Sequence, residues 1–182
     1  MLMLTLGVLL WSLAHLFKRL APATRAGMGD GGKLVVTLAL IGSIALMVSG
    51  YQSATGAIWW TRQPAWELVN NALMLFAFYL VAASSLRVRI TAFIRHPQLT
   101  AIKAWSIGHL LVNGDGPSLV LFGGLLVWAV ASVILINRQD GKASLPSIEV
   151  SIPREVLAII ASAVLYFAVV HAHAYLGYAV YG

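Results

Sequence analysis

Six apolar runs, at residues 2–17, 34–51, 66–84, 98–113, 117–136 and 156–178, alternate with short polar links along the whole chain. About 20 residues of helix cross a bilayer core, with a working range of about 17–25. Each run is apolar around most of its circumference, which suits a helix surrounded by lipid or buried in a bundle. The pattern predicts an all-α fold: a polytopic membrane bundle of about six transmembrane helices, forming one domain over residues 1–182. The first and fourth runs are short, so their helices are expected to reach into the interface.

Composition supports the pattern. The chain is 60% hydrophobic and only 10% charged, with a mean hydropathy of +0.86. A soluble domain of 182 residues has no place for that much apolar surface. There is no cysteine. That excludes covalently attached c-type haem, cysteine-ligated iron–sulfur clusters and a thiol nucleophile.

Charge then sets the orientation. Of the 12 Lys and Arg residues, 11 fall on or near the first, third and fifth links. These are Lys18, Arg19, Arg25, Lys33, Arg87, Arg89, Arg95, Lys103, Arg138, Lys142 and Arg154, and Arg62 alone sits on the second. Basic residues beside apolar runs are topology signals, so the high pI does not point to nucleic acid. The positive-inside rule places the odd links in the cytoplasm. Both termini are then periplasmic in the inner membrane of a Gram-negative cell. Lys18 and Arg19 follow the first run rather than precede it, the reverse of a signal peptide, so that run is expected to be a retained helix. Trp59, Trp60 and Trp66, with Tyr175, Tyr178 and Tyr181, suit an aromatic belt at the outer interface.

The polar residues inside the runs carry the candidate chemistry, because an ionisable group in a membrane helix costs several kcal/mol, on the order of 2.5–3.5, unless satisfied. His109 shares an i, i+4 stripe with Trp105 and Asn113, with Ser106 beside it. It reads as a metal or haem ligand, or as a histidine bonded to a neighbouring backbone. His15 lies at the inner end of the first helix, near Trp11 and Ser12. His96 precedes Pro97, which pushes it out of helical geometry to the cytoplasmic mouth, where with Arg95 it can cap a helix or bind an anionic group. His171 and His173 face different ways, and only one of them is expected to face the core. His171 shares a stripe with Phe167, Tyr175 and Tyr178. Asn70 and Asn71 can hydrogen-bond between helices. Asn113-Gly114-Asp115-Gly116-Pro117 predicts a tight turn between the fourth and fifth helices, and Gly123-Gly124 a close helix approach.

No paired intramembrane carboxylates, HExxH, P-loop or GxSxG motif is present. Histidines without carboxylates point to an imidazole-friendly metal, and without cysteine a haem would be b-type. Its propionates would need cations, and Arg87, Arg89, Arg95 and Lys103, or Lys18 and Arg19 near His15, are available at the cytoplasmic side.

The stretch RHPQLTAIKAWSIGHLLVNGD, followed by LFGG and WAV, resembles the NnrU family of membrane proteins. LAHLFKRLAPATR and NNALMLFAFYLVAAS add to the likeness, whose most specific part is 95–128. The resemblance implies a role in denitrification, in nitrite and nitric oxide metabolism. Related carotene isomerases use a b-type haem held by axial histidines, and the matching positions here are His15 and His109. Where the plant enzymes carry a cysteine three residues before the second histidine, this chain has Ser106, so a sulfur ligand is not available there.

By depth, His109 stands about 12–18 Å from the inner face at ~1.5 Å per residue, so His171 is the alternative partner. The expected cofactor-binding set is therefore His15, His109, Trp105, Ser106, Asn113, Arg95 and His96, in contact with lipid, haem b and a hydrophobic small molecule. A haem-dependent redox or isomerase protein is the leading expectation. A non-catalytic accessory or transport module is the alternative. A membrane methyltransferase, suggested by Arg-His-Pro opening a helix, is opposed by the lack of acidic residues after the last helix.

Overall fold

The computed structural model describes residues 1–141, 148–178 and 180; Lys142 and Tyr181 lie outside them. Among the described residues there are seven helices: α1 Leu2–Leu20, α2 Pro22–Gly27, α3 Gly31–Ser53, α4 Pro64–Leu86, α5 Pro97–Val112, α6 Gly116–Asp140 and α7 Ile152–Tyr175. Proline stands in the first turn of α2, α4, α5, α6 and α7. Its missing N–H falls where a helix has no partner to offer, and its fixed φ suits the first turn.

The all-α membrane bundle stands, with one correction to the count. Five helices, α1, α3, α4, α6 and α7, are long and apolar enough to cross a membrane. The expected fourth span forms as α5 but has only 16 residues. At ~1.5 Å per residue that is about 24 Å, short of a ~30 Å hydrocarbon core. The reason is local: Pro97 blocks extension backward, and Asn113 leaves helical geometry at φ −124°, ψ 98°.

The helices pack in the order α3, α1, α6, α5, α4, α7. Large apolar side chains face outward, among them Leu2, Leu68, Val127 and Ile152. Lipid is as apolar as these side chains, so helix contacts rely on close packing at small residues. Ala77, Ala101 and Ala104 lie between α4 and α5. Gly50 of α3 backs onto the Leu4 backbone of α1. Of the Gly123-Gly124 pair, Gly124 meets Val8 of α1, while Gly123 has nothing near it.

The expected turn after α5 does more than reverse the chain. β2 (Gly114–Asp115) pairs antiparallel with β1 (Ile58–Trp60), with Ile58 opposite Asp115 and Trp60 opposite Gly114. A Cβ at Gly114 would run into the Trp60 backbone. The Trp60 indole N–H also donates to Leu110 O at 2.9 Å. Asp115 accepts from Ser118 N and Ser118 Oγ, both at 2.9 Å, and Tyr51 Oη lies 2.8 Å from Ser118 Oγ. The α3–α4 and α5–α6 links thus hold the ends of α5 and α6 in place.

Candidate functional site: a histidine cleft

α4 packs against both α5 and α7, while α5 and α7 hardly touch. The gap between them is a cleft floored by α4, with a cavity of about 60 Å³. Asn70, Asn71, Met74, Trp105, His109 and His173 are among its lining residues. The floor can come this close because Gly108 has no side chain. A Cβ there would sit 2.6 Å from Met74 Cε and 2.7 Å from Asn70 Oδ1.

His109 is held from three sides. Its Nδ1 lies 3.0 Å from Trp105 O, one turn earlier. Phe122 stacks on its ring at 4.5 Å and 28°, and Trp105 approaches at 4.9 Å. Phe122 sits in a widened turn of α6, Leu119–Gly123, with π-type hydrogen bonding; such turns are frequent at functional sites. Asn113 Nδ2 donates to His109 O at 2.9 Å, closing the helix end. With Nδ1–H donated to a carbonyl, the lone pair of each such ring lies on Nε2.

The partner across the cleft is His173, 6.4 Å from His109 between ring centres. Its Nδ1 lies 2.9 Å from Val169 O. His171, the expected alternative, is exposed, with Nδ1 2.7 Å from Phe167 O. The stripe that faces the bundle is Ala158, Ser162, Tyr166 and His173, not Phe167, His171 and Tyr175. The small residues Ala158 and Ser162 at i, i+4 are the signal in the sequence, since they mark where a neighbouring helix comes close.

His15 is not brought to His109. Its ring packs 4.2 Å from Trp11 and 4.8 Å from Trp128, and its Nδ1 lies 3.0 Å from Trp11 O. Trp128 is six residues beyond Phe122 on α6, or about 9 Å along the axis. His96 occupies the cap position before α5 and is bonded through Nε2 to Asn137 Oδ1 at 2.9 Å. It and Arg95 stand at the opposite end of α5, about 20 Å from His109. Ser106 is fully buried, with its Oγ unpartnered.

Asn70 and Asn71 do not make the interhelical bonds that their place in the sequence suggests. Asn70 is 7% exposed, yet its Oδ1, like that of Asn71, has no hydrogen-bond partner among the described residues. An unpaired buried polar oxygen costs about 1–3 kcal/mol. Two such oxygens and two free imidazole nitrogens on one cavity make an acceptor-rich site. Among the described residues no three His, Asp or Glu side chains gather, so any bound ion would draw on neutral donors.

No characterised protein and no solved structure matches the chain. The NnrU protein family model matches residues 3–180, nearly the full length, and the chain therefore belongs to the NnrU family.

Proposed function

We infer that this chain is a membrane-embedded metal protein of nitrite and nitric oxide metabolism whose centre is built on His109. The observation that carries the reading is the state of that ring. It is inside the bundle, braced by Phe122 and Trp105, with Nδ1 engaged and Nε2 without a hydrogen-bond partner among the described residues. Ligating histidines characteristically donate the other ring N–H to a carbonyl in this way.

Haem b is the cofactor implied by the family resemblance, and the residues fit it in part. His109 and His173 offer two neutral imidazoles, and the aromatic walls suit a flat apolar ring. When bound, haem would supply one-electron or ligand-binding chemistry at iron. The space does not fit: ligand pockets of drug-sized molecules run about 300–1,000 Å³, against about 60 Å³ here. Two of the expected propionate partners do not fit either. Of these, Arg95 is at the far end of α5 and Arg19 is bonded to Asp140 at 2.6 and 3.0 Å.

The test is the absorption spectrum and metal content of the purified full chain. His109→Ala should abolish whichever centre is present, and His171→Ala should leave it unchanged. A chain that carries neither haem nor metal, or whose content is indifferent to His109→Ala, overturns the reading and favours an accessory or transport module.

A further inference from the structure

We propose that the cleft between α5 and α7 binds a bare copper(I) ion, held by His109, His173 and Met74, with the Asn70 amide oxygen facing the ion. This rests on the reading of His109 as the metal-bearing residue and goes beyond it in naming the ion and its other donors.

Four observations converge. First, the ring spacing is right. Two imidazoles on opposite sides of one ion, each nitrogen about 2.0–2.1 Å from it, have ring centres about 6 Å apart, and His109 and His173 stand at 6.4 Å. Second, both rings have Nδ1 tied to the carbonyl one turn back, leaving Nε2 as the ligating atom. Third, the cavity is about 60 Å³, room for an ion with a water molecule, whose own share of liquid volume is about 30 Å³. Fourth, Asn70 is more than nine-tenths buried and its Oδ1, at that cavity, is unpartnered among the described residues.

The donor set selects the ion. Imidazole suits copper and the thioether of Met74 favours its monovalent state. Among the described residues, Asp and Glu are missing from the lining, so no carboxylate side chain there offsets the charge of the ion. The Born cost rises with the square of the charge, making a divalent ion roughly four times as costly to desolvate as a monovalent one. Neutral N and S donors in an apolar bundle therefore favour a single positive charge. The i−4 backbone bond alone is not diagnostic, since His15 and His171 make it too. The pairing across the cleft and the unpartnered amide distinguish His109 and His173.

The experiment is a competition for copper(I) between the purified full chain and a coloured bidentate copper(I) chelator, with X-ray absorption at the copper edge. One ion per chain is expected, with nitrogen and sulfur in its shell. His109→Ala and His173→Ala should each weaken retention by about tenfold or more, and His171→Ala should not. Met74→Leu conserves volume, so it folds even if the histidine variants do not; it should remove sulfur from the shell. No retained copper(I), retention that survives His173→Ala, or a shell without sulfur overturns the proposal. A Soret band that depends on His109 also overturns it while leaving the metal-protein reading standing. Loss of both haem and copper binding removes both.

Discussion

Replacing Gly50 with alanine isolates what close helix approach is worth in this bundle. A Cβ built at Gly50 stands 2.7 Å from Leu4 Cα and 3.0 Å from Leu4 Cβ, and closer still to Leu4 N. Carbon atoms in good contact sit about 3.5–4.0 Å apart, so the overlap is close to 1 Å and is with backbone. No rotamer change relieves it, and α1 must move away from α3. Overpacking of this kind costs about 1–3 kcal/mol, and a backbone clash belongs at the upper end. Alanine also gains about 1 kcal/mol over glycine in helix propensity. Gly42, on the same helix, has nothing within 4 Å of a built Cβ. Gly42→Ala therefore reports the propensity gain alone. The difference between the two variants is the clash itself, about 2–3 kcal/mol, or roughly 4–12 °C in Tm at this chain length. Thermal unfolding in detergent, followed by circular dichroism, measures both. A Gly50→Ala protein that melts with or above Gly42→Ala would refute the packing argument and the α1–α3 contact with it.

Two further outcomes follow from the paired links and the topology. Asp115→Ala strips the acceptor from Ser118 N and Oγ at a fully buried position and should cost about 1–2 kcal/mol. Asp30→Ala, at a helix start without a side-chain cap bond, should cost clearly less in the same unfolding measurement. The native chain has no cysteine, so single cysteines report sidedness directly. Ser53 and Glu149 are both exposed, and because the pairing of β1 with β2 returns the end of the short α5 to the side of the α3–α4 link, Ser53→Cys and Glu149→Cys should be labelled by an impermeant thiol reagent from opposite faces of the membrane. Labelling from the same face would mean that α5 does not cross.

Much of the fold can be read along the chain because its signals are local. Apolar run length, the prolines at helix starts and the Asn113–Pro117 turn act within a few residues, and the helices begin and end near them. The shortness of α5 is written there too, in Pro97 and Asn113 as hard stops. The pairing of β1 with β2 is not, because it joins links separated by more than 50 residues. For the site, the stripe of Trp105, His109 and Asn113 is legible, and the structure closes it with hydrogen bonds from Asn113 and to Trp105. His173 carries only the indirect mark of sharing a face with the small residues Ala158 and Ser162. In a helix with apolar residues on every side, hydrophobic periodicity does not reveal the inner face.

What the sequence determined by itself is the class of solvent and the chemistry allowed. Its apolar length requires a bilayer, and its histidines without cysteine or intramembrane carboxylate pairs leave imidazole as the candidate ligand. Which imidazoles meet was decided only by tertiary structure. His109 faces His173 because Gly108 and the alanines of α4 and α5 let those helices close up, while the Ala158–Ser162 edge seats α7 against α4. These contacts depend on the shapes of surfaces far apart in the chain. In lipid, where burial alone ranks no face above another, shape decides the arrangement.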